Sequence, residues 1–494
     1  MYKVKNMSLT RKVAYNTGAL IFGRGVNVLL SLVAVGVLTR YLGVAGFGQY
    51  TTVFAFVSLF NTFADFGFMM ILLRELGAGR YDPQKITRNI LTIRTIFAIL
   101  VYALAFGVGW ILDYPLIVQL GIGVIALSFL FTTIQGSVIA VLQANLRADK
   151  AVVGDVLDRL IVLGLILWLI HSGAGLLALF AAYPLGAIIS LIINCIFANK
   201  YIRLGFAFDY KLWWKLIGEI WPLGIAGIFA MVYFKIDSVM LSLMKTPTDI
   251  GIYGAPYKIF EVLLSLSALF MGVAFPILSR YVQQKRKIEF DRALQKSIDF
   301  LGLLALPIMA FCIILAPAII RIIAGESFVT AYTINLFGIP MTTVITLQIL
   351  SLTILLSYMT NIFNNLVIAA GKQGKLMIPN FFLIIINIGL NAFLIPKFSY
   401  IGAAVATILT EVVALVWYWV LSHKFIDFRL SAAAFGKGII ATLVMMIVVY
   451  LTRNTFIAVP LILGSAIYVG IVLATKAVSK DMVVEIVRGN IDKS

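Results

Sequence analysis

Apolar residues come in runs of about 20, the length an α-helix needs to cross a hydrocarbon core roughly 30 Å thick. Short polar or basic stretches separate the runs, and the pattern repeats from one end of the chain to the other. The runs fall near residues 16–38, 49–73, 90–112, 117–143, 152–171, 174–197, 217–243, 252–278, 299–323, 343–370, 376–395, 401–422, 435–452 and 457–476. They predict an all-α integral membrane protein with about fourteen transmembrane helices. The alternating segments of ~10 residues that mark an outer-membrane barrel are not seen. A glycine-rich turn, Arg40 to Tyr50, is expected to join the first two helices. Residues 327–342 are apolar but end in Gly338 and Pro340, so they fit either a surface helix or an extension of the tenth span.

A weak repeat runs through this pattern. Gly46-Phe47-Gly48-Gln49-Tyr50, after the first helix, resembles Asp249-Ile250-Gly251-Ile252-Tyr253, after the seventh. Six helices separate the copies. Halves separated by an even number of helices share one orientation, the parallel-repeat plan of some transporters. The expected division is an N-terminal six-helix bundle (1–198), a cytoplasmic linker (199–216) whose Trp213-Trp214 pair suits the membrane interface, a C-terminal six-helix bundle (217–423), and two additional helices with a cytoplasmic tail (424–494).

Composition agrees. The 494 residues are 62% hydrophobic and only 12% charged, where a soluble chain would carry about a quarter. The net charge of +18 does not form a patch for nucleic acid; it sits in short loops. With the N-terminus inside, thirty of the 39 Lys and Arg fall on the cytoplasmic side, most densely between Arg280 and Lys296. The outer loops hold Arg40, Lys245, Arg321, Lys397 and Arg453. This asymmetry obeys the positive-inside rule and puts both termini in the cytoplasm. The first helix is expected to act as its own insertion signal. Cys195 and Cys312 lie in separate apolar runs, so neither a disulfide nor a metal site is expected, and no cofactor.

The informative residues are charges placed in the wrong solvent. Arg24, Arg159, Lys235 and Lys258 lie within predicted spans, accompanied by Asp65, Asp155, Asp158, Glu219, Asp237, Glu261 and Glu411. Each such group near the bilayer centre costs roughly 2.5–3.5 kcal/mol on insertion scales, so it must be paired, snorkelled or facing water. Arg24 is about eight residues into an outward-going helix, roughly 10–12 Å deep at 1.5 Å per residue. Its flanking Gly23 and Gly25 thin the helix for close approach. Asp65, on the next helix, is a possible counter-charge for it. Arg159 is spaced to pair with Asp155, and Lys258 with Glu261. Lys235 and Asp237 are two apart and face different ways. Together the four cations would form a ladder able to pass an anionic headgroup across the membrane while its lipid tail stays in lipid. Arg24, Lys235, Asp237, Lys258 and Arg159 are the candidate substrate-binding residues. Asp65, Glu261 and Glu411 are candidates for ion coupling.

With these residues in view, the chain resembles the Wzx-type polysaccharide flippases of the MOP superfamily. The likeness is carried by Leu38-Thr39-Arg40-Tyr41-Leu42-Gly43 through Tyr50, by Phe234-Lys235-Ile236-Asp237-Ser238-Val239-Met240-Leu241, by Gly251-Ile252-Tyr253 with Lys258-Ile259-Phe260-Glu261, by Phe275-Pro276-Ile277-Leu278-Ser279 and by Leu347-Gln348-Ile349-Leu350. The resemblance implies two pseudo-symmetric six-helix bundles around a central cavity plus two C-terminal helices. It implies that a polyprenyl-diphosphate-linked oligosaccharide moves from the cytoplasmic to the outer leaflet of the plasma membrane by alternating access. Arg24 and Lys235 match the family's cationic cavity positions in kind. The implied partners are the lipid-linked oligosaccharide, membrane lipids, and a polysaccharide polymerase and glycosyltransferases. Residues 327–342 depart from the family by adding chain before the tenth span.

Three rivals stand beside this expectation. A drug/cation antiporter or a lipid II flippase of the same superfamily would share the fold. A membrane glycosyltransferase should present a sizeable loop with paired carboxylates for a metal or general base; the loops here are short and mainly basic.

Overall fold

The computed structural model describes residues 9–477 and is almost entirely helical. In chain order the helices are α1 (Leu9–Asp65), α2 (Phe68–Ala78), α3 (Pro83–Ile111), α4 (Leu116–Ala144), α5 (Ala148–His171), α6 (Leu176–Ala198), α7 (Tyr210–Met244), α8 (Pro247–Gln283), α9 (Lys287–Ile314), α10 (Ala316–Ile323) and α11 (Glu326–Val329). A two-stranded hairpin follows, β1 (Asn335–Leu336) and β2 (Ile339–Pro340). Then come α12 (Thr343–Ala369), α13 (Met377–Phe425), α14 (Ala433–Thr452) and α15 (Ala458–Ala474).

Ten stretches among the described residues are long and apolar enough to cross a membrane. Two of them, Gly18–Ala78 and Gln373–Phe425, hold 61 and 53 residues, each far longer than the ~30 Å of one crossing requires. Each turns at a residue with non-helical backbone, Gly43 (φ 65°, ψ −175°) in α1 and Ser399 (φ 46°, ψ −131°) in α13, and the first stretch is interrupted again at Phe66 and Gly67, between α1 and α2. Counted as two passages each, and with α5 and the shorter α15 added, they make fourteen passages among the described residues. The expected turn at 40–50 is therefore a single-residue reversal at Gly43, with helix resuming at Val44. Glycine suits the left-handed φ at that site.

The chain divides into two compact units, 1–251 and 252–494. In the first, α4 lies against α3 and α6, while α1 packs on α5 and α7. One of its cores joins Phe68 and Leu72 of α2, Ile86 and Ile90 of α3, Ala140 of α4, and Leu212, Leu216 and Ile220 of α7. The stretch expected as a linker is thus partly helix. Asp209 caps α7, accepting from the Leu212 amide at 3.1 Å, and Leu212 and Leu216 are drawn into this core. Trp213 donates to Asn89 at 3.0 Å, and Trp214 is exposed.

The repeated glycine motif has a geometric counterpart in this unit. A Cβ on Gly48 would overlap the carbonyl oxygen of Pro247, and a Cβ on Gly251 would overlap that of Val44. Gly48 follows Val44 by four residues, as Gly251 follows Pro247. The contact is reciprocal, as a two-fold relation between like segments requires.

In the second unit, α12 runs along α13 and α9, and α14 and α15 close over α9. Leu303, Ala310, Ala441, Met445, Val449, Tyr468 and Val472 form that core, and the Tyr468 hydroxyl donates to the Leu303 carbonyl at 2.7 Å. Neither reading of residues 327–342 matches what forms there. After the single turn of α11 the chain makes the β1–β2 hairpin, because Phe337 and Gly338 both take positive φ (55° and 81°) and reverse it, the backbone that a tight two-residue hairpin demands.

Candidate functional site

Arg24 lies on the first arm of α1. Gly23 beside it is buried, with its α-carbon against the Val152 side chain of α5, whereas Gly25 meets nothing within 4 Å. The close approach expected from the two glycines is therefore made by Gly23 alone. It fixes the face of α1 that meets α5 and turns Arg24 away from that contact. Arg24 is exposed and makes no hydrogen bond or ion pair among the described residues. An arginine within a membrane span, in contact with neither water nor a counter-charge, would be strongly disfavoured.

Asp65 does not serve as its partner. It pairs with Arg94 of α3, a residue only 3% exposed. Arg94 also donates to the Ser137 hydroxyl at 3.1 Å and lies flat over Gly136, where a Cβ would come within 2.6 Å of Nη2. The Tyr102 hydroxyl donates to Asn61 at 3.0 Å and meets the Thr133 hydroxyl at 3.0 Å. Arg94 is missing from the cations read from the sequence because it stands near the start of the third span, beside a basic loop. Asp65 at the end of the preceding passage is the signal that marks it, since the two residues sit near adjoining ends of consecutive passages. Glu219 is likewise taken up, by Arg74, which also bridges to buried Glu75 at 2.7 Å.

Arg159 is exposed on α5 and makes no ion pair with Asp155. This corrects the pairing expected from helical spacing. The competing group is Gln135 of α4, whose amide donates to Asp155 at 3.0 Å and to Ser190 of α6 at 3.0 Å. Asp158 faces α6, close to Gly186. On α7, Lys235 is half-buried and Asp237 is 2% exposed, the difference in facing that a two-residue separation imposes. Lys258 and Glu261 of α8 do form the expected pair, Nζ to Oε2 at 2.8 Å. Glu411 of α13 is 5% exposed. Nearby polar groups hold helices together: Asn361 of α12 donates to Ser267 of α8 at 2.8 Å, and Asn387 to Thr410, within α13, at 3.3 Å.

The structure therefore sorts the charges. Asp65 and Glu261 are held by basic neighbours, whereas Arg24 is exposed and has no ion pair among the described residues. Residues 13–282, more than half of the chain, match the family model described as polysaccharide biosynthesis protein. The chain belongs to the polysaccharide biosynthesis protein family. A second model, for the lipid II flippase MurJ, matches residues 250–469. A putative O-antigen transporter of Shigella flexneri is 22% identical over 429 residues, spanning 84% of this chain and 98% of that protein. A probable low-salt glycan biosynthesis flippase, Agl15, of Haloferax volcanii is 21% identical over 434 residues, 86% of each chain. Among solved structures, the lipid II flippase MurJ in an inward closed conformation superposes with a TM-score of 0.76 at 15% identity, covering 93% of this chain and 98% of that one. An inward-facing multidrug resistance MATE family transporter of the MOP superfamily gives 0.63 at 13% identity, over 81% and 95%. These structural likenesses establish the fold: this member of the polysaccharide biosynthesis protein family is a multi-pass helical membrane protein built like the MOP transporters.

Proposed function

We propose that this protein is a transporter, a flippase that carries a lipid-linked oligosaccharide across the membrane. In this reading the cargo is a polyprenyl-diphosphate-linked glycan that moves from the cytoplasmic to the outer leaflet of the plasma membrane by alternating access. Family membership and the flippase relatives support the substrate class. The observation that carries it is Arg24: a guanidinium within a stretch long and apolar enough to cross a membrane, exposed and with no counter-charge among the described residues, in a chain that pairs Arg94 with Asp65 and Lys258 with Glu261. A diphosphate supplies the missing anion, and the fork of an arginine suits phosphate oxygens. Lys235, Asp237, Lys258 and Arg159 complete the proposed path. Six-helix halves at 1–198 and 217–423, both termini in the cytoplasm, and a polymerase and glycosyltransferases as partners belong to the same proposal.

Arg24→Ala should abolish translocation of a lipid-linked oligosaccharide in proteoliposomes while expression and thermal stability stay at wild-type levels. Arg24→Lys should retain part of the rate, because charge survives but the bidentate geometry does not. Full activity in Arg24→Ala would remove Arg24 from the mechanism. Of the carboxylates a drug/cation antiporter would need, Asp65 is already engaged by Arg94, which weighs against that alternative.

A further inference from the structure

The family resemblance leaves residues 327–342 without a role, and the structure gives them a defined shape. This stretch holds no Asp, Glu, Lys or Arg. At its tip Phe337 is 99% exposed, with Ile339 and Tyr332 each 54% exposed. The hairpin is nonetheless pinned. The Thr343 amide donates to the Ala331 carbonyl at 3.2 Å, and the Met341 amide to the Ile334 carbonyl at 3.1 Å. The Tyr400 hydroxyl accepts from the Thr333 amide at 3.3 Å and donates to the Met341 carbonyl. Thr343 is the first residue of a membrane-crossing helix, and Tyr400 follows the Ser399 kink between the two arms of α13. The hairpin is therefore tied to the points where three passages leave the hydrocarbon, so its tip stands at the membrane boundary.

A water-facing loop of this length would carry charge and would not hold an aromatic ring out at positive φ. A rigid, uncharged tip of Phe, Ile and Tyr suits the headgroup–acyl boundary, where aromatic side chains concentrate. Lys397, three residues before Tyr400, lies over the Phe393 ring at 3.8 Å, which places a cation at the same end for lipid phosphates. We propose that the β1–β2 hairpin is an interfacial anchor: Phe337, with Ile339 and Tyr332, inserts into the lipid leaflet at the α10/α12 end and holds the kinked α13 at a fixed depth through Tyr400. This inference rests on the membrane fold and not on the identity of the cargo.

Site-directed spin labelling tests it. Phe337→Cys and Ile339→Cys, each in a Cys195→Ala, Cys312→Ala background of the full chain, are labelled with a nitroxide. The protein is then reconstituted in phosphatidylethanolamine/phosphatidylglycerol vesicles. Glu326→Cys, at an exposed ion-paired position beside the hairpin, serves as the aqueous reference. The expected result is relaxation dominated by oxygen, which partitions into lipid, at 337 and 339, and by a water-soluble nickel complex at 326. A nickel-dominated profile at 337 and 339 would overturn the proposal. So would shielding from both reagents, which would mean that protein covers the tip. Transport is not measured, so failure here leaves the flippase reading intact.

Discussion

At the scale of single residues, the decisive contrast is between cations the fold has neutralised, such as Arg94 and Lys258, and Arg24, which has no ion pair among the described residues. Arg94 is buried against Asp65 and Ser137. Removing one partner of a buried pair strands the other charge, on the order of 3 kcal/mol or more. Asp65→Asn should therefore lower the unfolding temperature in detergent markedly. Glu261→Gln, which loosens the half-exposed Lys258 pair, should shift it little, since such pairs contribute about 0–1 kcal/mol. Equal effects in thermal melts would show that Asp65 is not structural. Arg24 was visible in the sequence because a lone basic residue interrupts an apolar run. Arg94 was not, because the pairing that explains it joins residues 29 apart.

At the scale of elements, backbone contacts decide what side chains cannot. Where Gly48 meets Pro247 and Gly251 meets Val44, the obstructing atoms are main chain on both sides, so no rotamer change can make room for a Cβ. Gly48→Ala and Gly251→Ala should each destabilise by about 1–3 kcal/mol, as overpacking does. The double variant should cost little more than either single one, because the first substitution already forces the segments apart. Additive losses in thermal unfolding would mean the two glycines act separately. The start of α7 depends on Asp209, whose carboxyl is held below its usual value first by the Lys85 ammonium and then by the Leu212 amide. A depressed folded pKa contributes stability that is complete above the unfolded value and is lost as pH falls through the folded one. Melts recorded from about pH 7 down to pH 3 should show this contribution fading only below about pH 4, and Asp209→Ala should remove it at every pH.

At the scale of the whole molecule, an even number of passages and the concentration of Lys and Arg in alternate loops predict that both ends of the chain lie in the cytoplasm. A cysteine at Gln284, in the most basic loop, should be labelled by an impermeant maleimide only from the cytoplasmic side. One at Thr455 should be labelled only from outside. Reversed labelling would invert the orientation and with it the direction of transport. The two compact units, divided at 251, show that α7 is packed with the N-terminal helices, although the repeat expects it to open the second bundle. Repeat register is a matter of sequence, whereas packing follows whichever apolar faces meet.

The sequence by itself determined the solvent, the helical class and the number of passages. Each of these depends on local composition: a run of apolar residues must cross lipid as helix because its backbone has no other hydrogen-bond partners there. Tertiary structure alone decided which charges are spent. It gave Asp65 to Arg94, Asp155 to Gln135, and left Arg24 without a counter-charge among the described residues. It also decided the shape of residues 327–342. A side chain's partner is set by the helix that packs beside it, and in this protein those helices come from distant parts of the chain.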